Sequence, residues 1–226
     1  MKNRFAKLLL ILLAAFIVVA CDKKEEKENK EGENKVIDEI TEGTIEGFHF
    51  KETDQVTDRV KIQMENGDII LIVLSNSQTP ITKANFQKLV SQHFYDGIIF
   101  HRVIQSFMIQ CGDPTGTGAG GSSETIKGEF SSNGVANDLS HTRGVVSMAR
   151  KGARVDTDET RNSASSQFFI VTADSTFLDG NYASFGKVFA GMDAVDKIEK
   201  TQTDSNDRPV EEQKIKSIRF IEIIKD

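Results

Sequence analysis

Cysteine is scarce in this sequence, and the two cysteines present lie far apart. Only Cys21 and Cys111 occur among the 226 residues. Because Cys21 is expected to be modified, as argued below, neither an intrachain disulfide nor a cysteine-pair metal site is available. Cys111 lies in an apolar run and is interpreted as a buried, inert thiol. A reactive thiol is the alternative, but the sequence places no histidine partner beside it.

Tryptophan, clustered histidine and an excess of positive charge are also missing. The sequence has no tryptophan, and its formal net charge is -6. The four histidines, at positions 49, 93, 101 and 141, show no metal-ligand spacing. General nucleic-acid binding needs clustered Lys and Arg to neutralise phosphates. We therefore expect no metal, no cofactor and no nucleic-acid partner.

No apolar run is long enough for a comfortable membrane span, but the chain starts with the pattern of a secretory signal. Lys2 and Arg4 precede a continuous apolar run from Leu8 to Ala20, whereas a spanning helix needs about 20 residues. The run closes with Val18-Val19-Ala20-Cys21, which resembles the lipobox of bacterial lipoproteins. This resemblance implies a signal peptide at residues 1–20 and lipidation of Cys21. The alternatives are an ordinary signal peptide with a chance cysteine, or an uncleaved anchor.

The segment after Cys21 is densely charged. Residues 22–31 combine both signs of charge with almost no apolar side chain, so they cannot bury enough surface to offset the entropy of ordering. We interpret residues 21–55 as the lipid-anchored cysteine and a flexible tether; Gly32 and Asn34 argue against the alternative of a long charged helix. The protein is accordingly expected at the cell membrane, lipid-anchored and facing outside the cytoplasm.

Residues 56–226 are long enough for one domain, which the pattern predicts to be mainly β. Arg59–Met64 alternates polar and apolar residues, Asn66-Gly67 follows, and Ile69–Leu74 is apolar. This is the strongest short-range hairpin signal. Further strands are predicted at 98–103, 107–111, 145–149, 168–172, 185–189 and 218–224. Helices are predicted after Thr79-Pro80, where Thr79 can cap, and at 192–200. Such a pattern favours a closed antiparallel barrel with helices over its ends.

Several short motifs occur in the order found in one known family. They are Phe100-His101-Arg102, Phe107-Met108, Gln110, Gly112-Asp113, Ser147-Met148-Ala149, Ser166-Gln167-Phe168-Phe169, Leu178-Asp179-Gly180 and Phe185-Gly186-Lys187-Val188. Over residues 60–224 the chain resembles the cyclophilins, the cyclophilin-type peptidyl-prolyl cis-trans isomerases. The resemblance implies a closed eight-stranded antiparallel barrel capped by two α-helices. It also implies an enzyme that accelerates rotation about X-Pro peptide bonds without a cofactor.

Arg102 is the catalytic candidate. Its guanidinium stays charged and presents a rigid fork of donors, which suits stabilisation of a peptide bond that has lost planarity. His101 is interpreted as structural or as a support to Arg102. By resemblance, the substrate-binding residues are Phe107, Met108, Gln110, Ala149, Gln167, Phe169, Phe177, Leu178 and Tyr182. Without the resemblance, a surface arginine and ordinary core side chains would be the alternative.

The sequence departs from the better-known family pattern around this site. Phe177 stands where tryptophan is frequent, so an indole N–H is lost and weaker cyclosporin binding is expected. Arg150 replaces a common asparagine, and Tyr182 replaces a frequent histidine. The chain is longer than usual after Arg150, and the charged stretch 151–161 is interpreted either as a solvated loop or as a determinant of substrate choice.

These features predict a monomeric isomerase that acts on proline-containing unfolded or nascent secreted polypeptides outside the cytoplasm. Two alternatives remain open. The first is a module that binds proline segments with little turnover, and the second is an interaction scaffold that uses the charged insertion. The run Gly116–Gly121 satisfies G-x-G-x-x-G, but no helical pattern follows it, so it is interpreted as a tight loop and not as a nucleotide site.

Overall fold

The computed structural model describes residues 37–74, 77–152 and 154–224 of the chain. The predicted signal peptide, the lipidation site Cys21 and the most charged part of the predicted tether lie outside these residues. Within the described ranges, no helix has both the length and the apolar character needed to cross a membrane.

Strands dominate the described part of the chain. The ten strands are β1 (Glu42–Ile45), β2 (Phe48–Glu52), β3 (Arg59–Met64), β4 (Ile69–Val73), β5 (Arg102–Ile104), β6 (Met108–Cys111), β7 (Val145–Met148), β8 (Phe168–Val171), β9 (Ser184–Ala190) and β10 (Ile215–Ile224). The α-helices are α1 (Pro80–Ser91), α2 (Asp158–Arg161) and α3 (Met192–Glu199), and two short 3₁₀ helices span Ser131–Asn133 and Thr176–Leu178.

The strands form one antiparallel sheet, in the order β1-β2-β10-β3-β4-β9-β7-β8-β6-β5. The hairpin predicted from Asn66-Gly67 is confirmed, because β3 pairs with β4 in a register that places Ile62 opposite Ile70. Gly67 takes a φ of 88° in the turn, a conformation that glycine adopts without a steric penalty. Local turn chemistry therefore fixes this part of the sheet.

The predicted closed barrel of eight strands and two helices is wrong in its details. The sheet has ten strands in the described residues, and no continuous ladder joins its two ends. The chain just before the three-residue strand β5 approaches the start of β10 through an isolated bridge between Ile99 and Lys214. A backbone hydrogen bond from Phe100 N to Gln213 O, 2.9 Å long, supports this approach. The third α-helix, α2, lies in the charged insertion.

The folded part begins earlier than the predicted boundary at residue 55. Strands β1 and β2 come from the segment interpreted as a tether, and β2 pairs with β10. This segment covers Lys61 on the outer face of β3, so that the lysine is fully buried. Its Nζ donates to Ile40 O at 2.7 Å and to Glu39 Oε1 at 3.0 Å, and it also contacts the carboxylate of Glu52. The alternation in β3 is real, but its polar face is covered by the chain that precedes it.

An aromatic cluster joins helix α1 to the inner face of the sheet. The ring of Phe86 lies 5.2 Å from that of Tyr95, 5.3 Å from that of Phe168 and 5.2 Å from that of Phe185, measured between centroids. Cys111 lies in the same core and is fully buried. Burial raises the pKa of its thiol well above the usual value, so the thiol stays protonated at neutral pH. This agrees with its interpretation as an inert core residue.

The start of helix α1 is held by Glu129 and not by the predicted cap, Thr79. The Thr79 side chain makes no capping hydrogen bond. Instead, the carboxylate of Glu129 accepts from Ile81 N at 3.1 Å and from Thr82 N at 2.7 Å. A carboxylate at this position satisfies free amides and complements the helix dipole. The contact ties the loop around Glu129 to the helix.

Candidate active site

An open cavity of about 330 Å³, here called the first hollow, lies where β5, β6, β8 and the chain after β7 meet. Eight of the ten predicted site residues line it. They are Arg102, Phe107, Met108, Gln110, Ala149, Phe169, Leu178 and Tyr182. The strands bring them together because β6 pairs with β5 on one side and with β8 on the other.

A chain of amide hydrogen bonds connects Arg102 to the next loop. Arg102 and Gln110 are cross-strand partners on β5 and β6, and Arg102 Nη1 lies 3.4 Å from Gln110 Oε1. Gln110 Nε2 donates to Gln167 Oε1 at 2.8 Å, and Gln167 Nε2 donates to Gly118 O and Gly120 O at 3.0 and 2.7 Å. The two glutamine side chains are thereby oriented by the fold, and Gln110 presents its oxygen to the guanidinium.

The base of the first hollow is apolar. Met108, Phe169 and Leu178 are almost completely buried and belong to one hydrophobic cluster, against which Phe107 and Tyr182 pack. The ring of Tyr182 meets that of Phe169 edge-on, with centroids 5.9 Å apart. This arrangement forms a seat for a compact apolar group beside a fixed cation.

A mostly buried polar network packs against the ring of Phe169. His141 stacks on the Phe169 ring with an interplanar angle of 17°, its Nδ1 lies 2.7 Å from Asp179 Oδ1, and its Nε2 lies 2.9 Å from Ser147 Oγ. Burial lowers the pKa of His141, although the Asp179 carboxylate opposes this, so the ring is neutral at pH 7 and donates to Asp179. Ser147 is fully buried and cannot meet a substrate. The three residues therefore position Phe169 and do not form a nucleophilic triad.

One wall of the first hollow is built around the carboxylate of Asp113. It accepts from Thr115 N at 2.7 Å, Gly118 N at 2.6 Å and Gly120 N at 3.0 Å. Burial would raise the pKa of Asp113, but the hydrogen bonds from Thr115, Gly120 and Gly118 outweigh it and lower the pKa to about 2. A Cβ at Gly120 would lie 2.1 Å from Asp113 Oδ1, so only glycine fits there. The glycine run in the sequence thus encloses a carboxylate of its own chain.

In the described part of the chain, Arg102 contacts the amide of Gln110 and the carboxylate of Asp207. Its side chain is 42% exposed, and its Nε lies 3.6 Å from Asp207 Oδ2. The neighbouring His101 is buried. Burial lowers the pKa of His101, with the nearby Asp113 acting in the opposite direction, so the imidazole is neutral at pH 7. The guanidinium can donate hydrogen bonds into the hollow, and no cysteine or serine is among the described residues that line it.

A second hollow of about 490 Å³ adjoins the first and shares Gln110, Gly118, Ala149 and Arg150 with it. The Arg150 side chain is almost buried between the two: its guanidinium lies 5.4 Å from the centre of the Phe130 ring and 5.0 Å from that of Tyr182. Two hydrogen bonds of 2.9 Å connect it to the Asp156 carboxylate. This pair holds part of the charged insertion against the groove.

Two predicted residues lie away from the first hollow. Gln167 lines the second hollow instead, and Phe177 is 70% exposed and lies at the rim, with its ring 5.5 Å from that of Phe107. Other residues also line the first hollow: Thr117 and Gly152 come from the two stretches singled out in the sequence, 116–121 and 151–161, whereas the sequence did not point to Asn206. They come from loops, and no local pattern in the sequence indicates that those loops meet. The catalytic and binding roles of the lining residues stay predictions.

Comparison with known sequences decides the family. A sequence model described as cyclophilin type peptidyl-prolyl cis-trans isomerase/CLD matches residues 59–220. The chain belongs to the cyclophilin family. This cyclophilin is 44% identical over 157 residues to peptidyl-prolyl cis-trans isomerase ppi1 of Schizosaccharomyces pombe, a match that covers 69% of this chain and 94% of that protein. It is 39% identical over 145 residues to peptidyl-prolyl cis-trans isomerase CYP18-2 of Arabidopsis thaliana, covering 64% of this chain and 82% of that protein. The cyclophilin described here is thus a peptidyl-prolyl cis-trans isomerase.

Solved structures confirm the cyclophilin fold at the level of its mainly β architecture. A cyclophilin type peptidyl-prolyl cis-trans isomerase from Cryptosporidium parvum is 34% identical, with a TM-score of 0.64, over 75% of this chain and 98% of that one. A structure of the same protein in the presence of the dipeptide Ala-Pro gives a TM-score of 0.63 at 32% identity, over 74% of this chain and 99% of that one. These relatives are eukaryotic, and their names give no support to the bacterial lipoprotein form.

Proposed function

We propose that Arg102 catalyses rotation about an X-Pro peptide bond whose proline ring occupies the first hollow. The observation that carries this proposal is the placement of Arg102 at the edge of an apolar seat, with Gln110 Oε1 3.4 Å from its Nη1. Arg102 lies on β5, where its position is set by the pairing of β5 with β6. The apolar seat includes buried side chains of β6 and β8. A polar donor and an apolar pocket are what a twisted prolyl bond requires.

The reaction needs stabilisation of a twisted amide and nothing else. Resonance gives the peptide bond a rotation barrier of about 18–20 kcal/mol. When the bond is twisted out of plane, resonance is lost and the proline nitrogen recovers a lone pair. An N–H of Arg102 can donate to that lone pair or hold the carbonyl oxygen. Because this interaction is stronger in the twisted state than in either planar state, it lowers the barrier.

The other lining residues are proposed to hold the substrate. Met108, Phe169 and Leu178 supply the seat for the proline ring, and Gln110 lies where it can hydrogen-bond the substrate backbone beside Arg102. Ala149 and Gln167 extend the contact surface toward the second hollow. The proposed substrates are proline-containing unfolded or nascent polypeptides, in keeping with an open groove and with the Ala-Pro dipeptide named for the Cryptosporidium parvum relative.

The cellular setting is proposed from the N-terminal sequence alone. The apolar run that ends at Ala20 and the lipobox-like residues 18–21 support export and lipidation of Cys21. On this proposal the isomerase acts at the cell membrane, outside the cytoplasm, on secreted chains whose X-Pro bonds otherwise relax in tens to hundreds of seconds.

A proline-isomerisation assay with the full chain tests the enzymatic role of Arg102. The wild type, Arg102→Ala and a control, Arg59→Ala, are compared on one Ala-Pro peptide. Arg59 is an exposed strand arginine that lines neither hollow. We expect Arg102→Ala to lower kcat/KM by about 100-fold, the usual effect of losing one donor to a transition state, and Arg59→Ala to leave it unchanged.

The outcomes separate the candidate functions. Equal rates for the wild type and Arg102→Ala would defeat the assignment of Arg102. Peptide binding without acceleration by the wild type would favour a binding module. A partner captured by the wild type and lost only when residues 151–161 are deleted would favour the scaffold.

A further inference from the structure

Arg102 forms an ion pair with Asp207 in addition to its hydrogen bond with Gln110. Its Nε lies 3.6 Å from Oδ2 of Asp207, while its Nη1 lies 3.4 Å from Gln110 Oε1. Gln110 and Asp207 belong to different parts of the chain, since Gln110 is on β6 and Asp207 lies in the loop between α3 and β10. The contact with Asp207 is an ion pair that is longer than a hydrogen bond. Together, the amide oxygen and the negative charge beside two different nitrogens of one planar group favour one orientation of the guanidinium.

The backbone of Asp207 is hydrogen-bonded to β5, the strand that carries Arg102. Asp207 O accepts from Val103 N at 2.8 Å, and Asp207 has a φ of 63°. Residues other than glycine are uncommon in this left-handed region, where Asp and Asn are tolerated best. Strained backbone of this kind persists at functional sites when the surrounding structure requires it. Here it lets one residue present its carbonyl to β5 and its carboxylate to Arg102.

The loop that carries Asp207 is well braced. Asp204 Oδ1 accepts from Asn206 N at 2.8 Å and from Arg208 N at 3.0 Å, and Asp204 O accepts from Asp207 N at 3.2 Å. Arg208 in turn donates to Gly116 O in the loop around Asp113. Asn206 of the same loop lines the first hollow. The carboxylate of Asp207 is therefore presented by a fixed piece of backbone and not by a free loop.

We propose that Asp207 is a positioning residue for Arg102: its carboxylate orients the guanidinium so that the remaining N–H groups face the first hollow. This inference rests on the proposed role of Arg102. A half-exposed arginine has several rotatable bonds, and small misplacements of a catalytic group are costly to the rate. Because Asp207 does not line the hollow itself, its removal affects the transition state through Arg102 and leaves the apolar seat unchanged.

Three substitutions in the full chain separate the possible roles of Asp207. Asp207→Asn keeps the shape and the tolerance for positive φ but removes the charge. Asp207→Gly also removes the backbone strain. Glu211→Gln is the matched control, because it removes one negative charge from an exposed residue nearby that lines neither hollow. We expect kcat for an Ala-Pro peptide to fall about two- to fivefold in both Asp207 variants, with a smaller change in KM and no change in the control.

Two further readouts distinguish positioning from a structural role. The melting temperature of Asp207→Gly should equal or exceed that of the wild type, since glycine relieves the strain. In an Arg102→Ala background, Asp207→Asn should have no additional effect on kcat, because no guanidinium is left for Asp207 to orient. An undiminished effect in that background, or wild-type kcat in both Asp207 variants, would overturn the proposal.

A spectroscopic measurement keeps this test independent of the proposed function. The Arg102 Nε–H resonance, assigned by its loss in Arg102→Ala, should shift in Asp207→Asn and stay in place in Glu211→Gln. If Arg102→Ala retained the full isomerase rate, the role of Arg102 would fail, whereas the shift would still report whether Asp207 holds the side chain. An unshifted resonance in Asp207→Asn would refute the positioning directly.

Discussion

At the scale of single residues, a wall of the site depends on the ionised carboxylate of Asp113. Its pKa is about 2 in the folded protein, against 3.8 for an ordinary aspartate. A carboxyl whose pKa is lowered on folding stabilises the protein above its unfolded pKa. The contribution of Asp113 is therefore complete above about pH 4 and is lost as the pH falls toward 2. From the shift in pKa it amounts to about 2 kcal/mol.

Asp113→Asn should make the free energy of unfolding less dependent on pH below pH 5. We expect the free energy of unfolding to be lower than that of the wild type at pH 7, and to lose about 2 kcal/mol less between pH 5 and pH 2. Urea denaturation at a series of pH values measures both effects. Asp54→Asn, at an exposed position, is the control and should follow the wild type. Parallel curves for Asp113→Asn and the wild type would contradict the account of this carboxylate.

Phe177 carries the prediction about cyclosporin. Its ring is 70% exposed and lies against Phe107 at the rim of the first hollow, so a larger ring with an N–H can be accommodated there. We expect Phe177→Trp to bind cyclosporin about fivefold more tightly, the effect of about one hydrogen bond, with little change in isomerase rate. Calorimetry measures the affinity, and Phe48→Trp, at another exposed phenylalanine, is the control. Equal affinities for the wild type and Phe177→Trp would show that the missing indole is not what limits binding.

The sequence predicted which side chains share the first hollow better than it predicted their surroundings. Arg102, Gln110 and Phe169 lie in motifs whose family resemblance is specific, and the strand pairings bring them together. Asp207 was missed, because its approach to Arg102 depends on packing between segments about 100 residues apart in the chain. Gln167 and Phe177 were expected in the hollow that Arg102 lines, but their side chains point to the second hollow and to the rim.

At the scale of elements, the β1–β2 hairpin shows the limit of local patterns. The β3–β4 hairpin was predicted because Asn66-Gly67 sits between two apolar strands. The segment of β1 and β2 follows the charged run that begins at residue 22 and was included with it in the predicted tether, although it contains Ile45, Phe48 and Phe50. Its strands are stabilised by pairing with β10, which lies about 170 residues further along the chain. A pairing between segments so far apart in the chain cannot be predicted from the local sequence pattern.

Substitution of Lys61 measures how much its buried contacts with the segment around the β1–β2 hairpin stabilise the fold. The lysine is fully buried and contacts Glu39, Ile40 and Glu52. Removing one partner of a buried ion pair leaves uncompensated charge, so Lys61→Ala should lower the free energy of unfolding by about 3 kcal/mol. Urea denaturation measures the change. Lys51→Ala, which removes an exposed lysine 3.6 Å from Glu42, should cost less than about 1 kcal/mol; similar losses for both variants would show that the buried cluster is not specially stabilising.

At the scale of the whole molecule, the N-terminal sequence predicts that the folded isomerase is attached to a membrane through Cys21. If Cys21 is lipidated, cells supplied with labelled palmitate should incorporate label into the wild type and not into Cys21→Ser. The wild type should also sediment with membranes, and Cys21→Ser should be released from them. Label in both proteins, or in neither, would contradict the lipoprotein proposal. The isomerase assignment would be unaffected, because it depends on the folded part of the chain.

The central claim is that Arg102 binds the twisted peptide bond more tightly than the planar one. Exchange NMR on an Ala-Pro peptide at equilibrium tests it most directly, since it gives the cis-trans interconversion rate and the dissociation constant of each isomer in one sample. We predict that Arg102→Ala binds both isomers within about threefold of the wild type while catalysed exchange falls about 100-fold. Loss of exchange only in proportion to loss of binding, or exchange as fast as that of the wild type, would contradict the account.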